Sequence, residues 1–147
     1  MKIKKYPYKL VLRSSVFALV LAYLSELIFD LTPCMLCIYQ RIPYFILLLI
    51  ATTAVLRPSW GKHLVFITIF LYITEIILAS YHVGVEHYWI EDTYMCQDSS
   101  VGLLSFSEIA SSCSEVKFRF MNLSMAEWNL LYAIGFLYSF IRYSKKK

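Results

Sequence analysis

Charged residues are scarce in this chain of 147 residues. Only 16% of the residues are charged, whereas 59% are hydrophobic and 17% are aromatic. A soluble domain of this length rarely carries so little charge, so the composition argues against a soluble globular protein. The formal net charge of +4 does not indicate nucleic-acid binding, because the basic residues flank the ends of apolar blocks.

The apolar residues fall into four blocks, as an integral membrane protein requires. The blocks predict spans over about 10–29, 38–56, 64–81 and 125–143. A bilayer satisfies no backbone polar groups, so the prediction is an all-α bundle of four transmembrane helices in one domain, residues 1–147. The predicted external loops are 30–37 and 82–124, and the segment 101–110 suits a short helix at the membrane surface.

The first block also has the pattern of a secretory signal peptide, a basic start followed by an apolar stretch. It is long for the apolar part of a signal, and no small-x-small cleavage site follows Leu31. An uncleaved first helix is therefore the favoured interpretation.

The distribution of charge predicts the orientation of the bundle. With four spans, both termini and the turn 57–62 share one side, and that side carries all the Lys and Arg residues except Arg41, Lys117 and Arg119. All ten acidic residues lie toward the other side. The positive-inside rule then places the termini in the cytoplasm and all four cysteines outside it, in an oxidising compartment.

Local patterns give three structural predictions. Thr32 suits a helix N-cap with Pro33 at the first helical position. Ser124 and Glu127 have the spacing of a capping box. Glu75 is the only charge in the third block, and it is predicted to be a structural carboxyl hydrogen-bonded to a neighbouring helix.

Four cysteines on one side allow three interpretations. Structural disulfides suit Cys96 and Cys113, but a bridge between Cys34 and Cys37 would close too small a loop to stabilise much. A zinc site with four thiolates lacks a second Cys-x-x-Cys, so no metal is predicted. The favoured interpretation is an electron relay, since a Cys-x-x-Cys pair at a helix start exchanges electrons readily.

The relay hypothesis assigns the two pairs to different surroundings. Cys34 and Cys37 lie at the membrane boundary, within reach of a lipid-soluble carrier, whereas Cys96 and Cys113 lie on a loop that a soluble protein can reach. Arg41 is one turn beyond Cys37 and suits a thiolate or an anionic ligand. His82 at the outer end of the third block suits proton transfer or a quinone oxygen, although a structural histidine is an open alternative.

Several stretches together resemble one family. The segment Pro33-Cys34-Met35-Leu36-Cys37-Ile38-Tyr39-Gln40-Arg41 closely resembles the signature of the disulfide bond formation protein B (DsbB) family, bacterial inner-membrane quinone reductases that reoxidise the periplasmic thiol oxidase DsbA. The segments Tyr81-His82-Val83-Gly84-Val85-Glu86 and Leu123-Ser124-Met125-Ala126-Glu127-Trp128-Asn129 resemble the family as well. The resemblance covers most of residues 10–143.

The resemblance implies a role for each matching residue. Cys37 matches the cysteine that engages quinone, and Cys34 matches the one that exchanges with the loop pair. Cys96 matches the cysteine attacked by DsbA, with Cys113 as its partner. The implied cofactor is ubiquinone or menaquinone, and the implied location is the inner membrane with periplasmic cysteines.

Two further assignments also follow from the resemblance. Arg41 matches the arginine beside the quinone ring, and His82 is the favoured quinone-side histidine, with His87 as the alternative.

Two other functions compete with this one. A structural or assembly membrane protein would use its disulfides only to brace the external loop. An oxidoreductase like vitamin K epoxide reductase is also a helical bundle with four cysteines, but its membrane Cys-x-x-Cys follows the loop pair, whereas here it precedes it.

Overall fold

The computed structural model describes residues 6–91, 113, 114, 116 and 118–145. Within them lie four long helices: α1 Tyr6–Phe29, α2 Met35–Leu56, α3 Gly61–Glu86 and α4 Met125–Lys145. A short 3₁₀ turn, Pro58–Trp60, joins α2 to α3, and two strands, β1 Arg119–Phe120 and β2 Leu123–Ser124, precede α4. The predicted all-helical architecture is confirmed. The surface helix expected over 101–110 lies outside the described residues.

Three of these helices are long and apolar enough to cross a membrane. The segments are Pro7–Phe29, Met35–Leu56 and His63–Glu86. Helix α4 has 21 residues, but its composition is less apolar and it is not among the three. Three helices thus have the length and composition of membrane spans, and a fourth span stays a prediction.

Helix α3 is longer than the predicted span and continues past its outer end. The apolar block ends at 81, but the helix continues to Glu86. Val85 packs the last turn against the bundle. The polar side chains of His82 and Glu86 are accommodated there because they have partners on other elements. His82 thus lies inside α3 and not at the start of a loop.

The start of α2 also differs from the prediction. Asp30 adopts a left-handed φ of 49° and ends α1, and the Leu31 N–H donates to the Glu26 carbonyl at 3.2 Å. Helix α2 begins at Met35, and its N-cap is Cys34, whose sulfur accepts a hydrogen bond from the Cys37 N–H. Thr32 is therefore not the N-cap, because the cysteine sulfur itself takes the capping role.

The bundle core is tied together by buried polar contacts as well as by apolar packing. The Tyr8 hydroxyl donates to the Gly61 carbonyl at 2.6 Å, linking α1 to the start of α3. Asn129 of α4 donates to Glu75 of α3 at 2.6 Å and accepts from the Tyr44 hydroxyl of α2 at 2.8 Å. Glu75 is fully buried. The prediction of a structural carboxyl bonded to a neighbouring helix is confirmed.

A tight hairpin leads into α4. Arg119 pairs with Ser124 and Phe120 with Leu123, and the two turn residues, Met121 and Asn122, both have positive φ. Positive φ at both central positions is the geometry that two-residue hairpins favour. The hairpin therefore sets where α4 begins.

The predicted capping box is confirmed. The Glu127 N–H donates to Ser124 Oγ at 3.1 Å, and the Ser124 N–H donates to Glu127 Oε2 at 2.7 Å. The Ser124 hydroxyl also donates to the carboxylate of Glu86, which joins α4 to the outer end of α3.

Replacing Ser124 by alanine should destabilise the bundle. The change removes the cap and a hydrogen bond to a buried carboxylate, so we expect the free energy of unfolding to fall by about 1 to 2 kcal/mol. Reversible unfolding in mixed detergent micelles measures it. Ser139→Ala, in the interior of the same helix, is the matched control and should change stability by a few tenths of a kcal/mol at most. Equal effects would contradict the capping role.

Candidate functional site

The two cysteines of the Cys-x-x-Cys segment meet at the start of α2. Their Sγ atoms lie 3.0 Å apart, and both residues are free thiols. Cys34 is buried, with 5% of its surface exposed, whereas Cys37 is half-buried. Because the sulfurs are already in contact, the pair can close into a disulfide with little movement of the backbone.

Local hydrogen bonds favour the thiolate form of Cys34. The Cys37 thiol lowers the pKa of Cys34 most, and the backbone N–H groups of Cys37 and Leu36 lower it further. Burial and the nearby Glu86 carboxylate oppose this shift. The net pKa of Cys34 is below its usual value, so this sulfur is suited to thiol–disulfide exchange.

His82 of α3 lies against this dithiol. Its Nε2 is 3.5 Å from the Sγ of Cys34, and its Nδ1 is 3.3 Å from Oε1 of Gln40 in α2. His82 has only 3% of its surface exposed. In the tautomer that donates from Nδ1 to the Gln40 amide oxygen, Nε2 can accept the proton of the Cys34 thiol.

In the described part of the structure, His87 makes its contacts with residues other than the two cysteines. It follows α3, its side chain is 37% exposed, and its Nε2 is 3.0 Å from Glu127 Oε1. Its ring also stacks on that of Trp89. Of the two histidines that sequence could not separate, the structure brings His82 alone to the cysteines.

Arg41 lies one turn beyond Cys37, but it faces a partner that the sequence did not indicate. Its guanidinium pairs with the carboxylate of Glu26 in α1 and lies 4.6 Å from the centre of the Tyr23 ring. Glu26 is the one acidic residue of the first block, which was a usable signal, since a charge inside a span seeks a partner.

A large cavity adjoins the dithiol. It has a volume of about 780 Å³ and is lined mainly by apolar residues of α1, α2 and α4. Cys34, Cys37, Arg41 and His82 all line it. The volume and the few convergent polar groups are typical of a site for a mainly apolar small molecule.

One of the two loop cysteines, Cys113, lies among the described residues. Cys113 is disulfide-bonded and buried, and it belongs to the same buried cluster as Cys34, Leu36 and Val85. Cys96 lies outside the described residues. The structure thus holds one loop cysteine beside the membrane dithiol, in a different oxidation state from it.

The pairing of Glu26 with Arg41 should appear as an energetic coupling. Both side chains are largely buried, at 21% and 13% exposure, so the loss of either leaves a charge unpaired. A double-mutant cycle with Glu26→Gln and Arg41→Gln should give a coupling of about 1 to 3 kcal/mol in detergent unfolding. Glu26→Gln combined with Arg57→Gln, at the far end of α2, should be additive. A coupling near zero for the first pair would contradict the contact.

The apolar helices and the paired thiols beside a buried histidine are features expected of a membrane thiol–disulfide oxidoreductase. The model of the family "Disulfide bond formation protein DsbB" matches residues 4–141, and the chain belongs to this family. It is also 30% identical over 149 aligned residues to an uncharacterised protein of Rickettsia prowazekii (strain Madrid E), covering 92% of this chain and 87% of that protein. No solved structure matches the chain.

Proposed function

We propose that the protein reoxidises a periplasmic DsbA-like thiol oxidase and passes the electrons to a membrane quinone, ubiquinone or menaquinone. The observation that carries the proposal is the position of Cys37, which contacts Cys34 and also lines the apolar cavity. A sulfur that contacts Cys34 and also borders an apolar cavity can take part both in disulfide exchange and in electron transfer to a quinone.

The proposed exchange begins at the loop. A thiolate of the partner attacks the Cys96–Cys113 disulfide at Cys96, and a second partner thiolate then releases the oxidised partner and a loop dithiol. The loop dithiol next reduces the Cys34–Cys37 disulfide, which transfers two electrons to the membrane pair. The burial of Cys113 in one cluster with Cys34 supports this step.

The membrane dithiol then returns to its disulfide. Cys34 and Cys37 give up two electrons and two protons as the S–S bond forms, and quinone, when bound, supplies the two-electron acceptor. His82 Nε2 is placed to take the Cys34 proton, and Gln40 holds the ring in the required tautomer. Proton transfer by a positioned histidine contributes typically 10²- to 10⁴-fold to such a rate.

The cavity residues fit a quinone. A quinone is apolar except for its carbonyl oxygens, and the cavity is mainly apolar with a cationic donor in Arg41 and a ring nitrogen in His82. Arg41 would hold a carbonyl oxygen, and its pairing with Glu26 keeps the guanidinium in place. The donor set and the size of the cavity both suit the ligand.

We place the protein in the bacterial inner membrane with both termini in the cytoplasm and α4 as the fourth span. Cys34, His82 and Ser124 lie at one end of the bundle, joined through Glu86, whereas the turn 57–62 lies at the other. The charge asymmetry then puts the cysteine end in the periplasm. Glycosylation or protease mapping of 87–124 tests the topology, and a cytoplasmic location would overturn the proposal.

An enzymatic assay tests the quinone site. In membranes supplied with a reduced DsbA-like oxidase, wild-type protein should reduce added ubiquinone-1 or menaquinone-1, and Arg41→Ala should raise the KM for quinone by about tenfold or more, because a charge-assisted hydrogen bond is lost. Detergent unfolding run in parallel reports folding. An unchanged KM in a folded Arg41→Ala protein would remove Arg41 from the site. Absence of quinone reduction by the wild type would favour a purely structural role for the disulfides.

A further inference from the structure

We propose that the reduced protein binds one thiophilic divalent ion, Zn²⁺ being the natural candidate, through Cys34, Cys37 and His82. Metal binding itself does not depend on the redox function. Its consequence, that a bound ion would hold the dithiol out of the electron relay, rests on the proposed function. This site differs from the four-thiolate arrangement considered from the sequence, because a histidine from another helix completes it.

The three ligand atoms already converge. The two sulfurs and a His82 ring nitrogen all lie within 4.8 Å of one another. A tetrahedral zinc ion, with bonds of about 2.3 Å to sulfur and about 2.0 Å to nitrogen, requires S···N separations of about 3.5 Å and S···S separations of about 3.8 Å. The observed Cys34 Sγ to His82 Nε2 distance is 3.5 Å, and the sulfurs are 3.0 Å apart. The Cys34–His82 separation thus already fits a bound ion, and the two sulfurs would have to separate by about 0.8 Å.

The surroundings of His82 favour coordination through Nε2. A metal-bound histidine usually donates its other ring N–H to an oxygen, which fixes the ring and raises its basicity. Here Gln40 Oε1 lies 3.3 Å from Nδ1. The Gln40 amide nitrogen is buried and has no hydrogen-bond partner among the described residues, so this side chain is available to adjust to the ring.

A carboxylate lies next to His82, although it is not one of the three converging ligands. Glu86 Oε1 lies 3.7 Å from His82 Nε2, and its side chain is 8% exposed. It would have to move toward the ion to become the fourth ligand. The hydroxyl of Ser124 donates to the other carboxylate oxygen. Two thiolates, an imidazole and a carboxylate are a ligand set that zinc accepts.

The chemistry makes the metal and the disulfide mutually exclusive. One divalent ion replaces the protons of two thiols, which are released, and no electrons move. The disulfide form of Cys34 and Cys37 offers no thiolate, so only the reduced protein binds. The ion would therefore retain the dithiol in its reduced state until a competing chelator removes it.

Cobalt is a direct probe of this site. Full-length reduced protein in detergent is titrated anaerobically with Co²⁺, and the thiolate-to-cobalt absorption in the near ultraviolet and the visible bands of tetrahedral cobalt are followed. The Cys37→Ser variant gives the background signal from the loop cysteines. After this background is subtracted, we expect the wild-type signal to saturate at one ion per chain. Zn²⁺ should displace the cobalt. The oxidised wild type has the same sequence and should give no signal.

Substitutions of a ligand and of the residue bonded to it distinguish a specific metal site from nonspecific binding to thiols. His82→Ala should weaken Co²⁺ binding by about 100-fold or more, and Gln40→Leu by about 10- to 100-fold. His87→Ala is the matched control and should bind as the wild type does. Equal binding by wild type, His82→Ala and Cys37→Ser would overturn the proposal.

The same preparation distinguishes this inference from the proposed function. Neither quinone nor a partner is present in the titration, so cobalt binding stands even if quinone reduction fails. If quinone reduction occurs but the reduced protein binds no ion, the metal site is wrong and the relay is unaffected. If both hold, quinone reduction should stop with Zn²⁺ and resume after a chelator is added.

Discussion

The Cys37→Ser variant is expected to lose quinone reduction almost completely, by at least about 10³-fold, because no disulfide can form at the membrane pair without this sulfur. Both sulfurs of the pair line the cavity, and Cys37 is the more exposed of the two. In cells, a DsbA-like oxidase served by this protein should accumulate in its reduced form. Alkylation of free thiols followed by gel separation measures that fraction.

A cavity substitution is the matched control for Cys37→Ser. Ser25 lines the same cavity, and its hydroxyl donates only to the Ala22 carbonyl of its own helix, at 2.8 Å. Ser25→Ala should keep the rate of quinone reduction within about twofold of the wild type, because the substitution removes only a hydrogen bond within the helix and has little effect on stability. A Cys37→Ser strain that keeps its partner oxidised would eliminate the relay.

The second large effect is expected at His82. If Nε2 takes the proton of the Cys34 thiol, His82→Ala should slow oxidation of the membrane dithiol by about 10²- to 10⁴-fold. The remaining rate should rise with pH over the neutral range, since water or hydroxide must then remove the proton. Rapid mixing of the reduced protein with excess quinone at several pH values measures both the rate and its pH dependence.

His87→Ala is the matched control, because its ring contacts Glu127 and Trp89 and lies away from the sulfurs. It should oxidise at the wild-type rate at every pH. Equal, small effects of the two substitutions would remove both histidines from the site. A slow His82→Ala protein with an unchanged pH profile would indicate that His82 only positions Cys34.

The residues of the site could be predicted from the sequence better than the contacts between them. The Cys-x-x-Cys segment, Arg41 and His82 were all identified from local pattern and resemblance, and the structure brings them to one cavity. The capping box at Ser124 was also predictable, because both of its hydrogen bonds are made within three residues.

What sequence could not supply was the contact between helices. Glu26 pairs with Arg41 across 15 positions, and Gln40 meets His82 across 42, so each contact depends on the rotation of two helices about their axes. The hydropathy pattern indicates where an apolar span begins, but it does not give the rotation of each helix about its axis. The continuation of α3 beyond the apolar block depends on similar contacts, since the polar His82 and Glu86 have partners on other elements.

The Cys34 cap shows a different limit. Thr32 and Pro33 have the residue types that usually start a helix, and cysteine is not a common N-cap. The turn that ends α1 at Asp30 sets the direction of the chain, so the helical hydrogen bonds begin only after Cys34. Cys34 therefore occupies the helix end, where the backbone N–H of Cys37 donates to its sulfur.

The proposed function requires that the Cys34–Cys37 dithiol transfers two electrons to quinone. Purified protein reduced at this pair is mixed anaerobically with one equivalent of ubiquinone or menaquinone, and quinol formed and thiols lost are counted together. We expect one quinol formed and two thiols lost per chain, and neither change in Cys37→Ser. Thiols that persist beside unreduced quinone, with the protein folded, would contradict it.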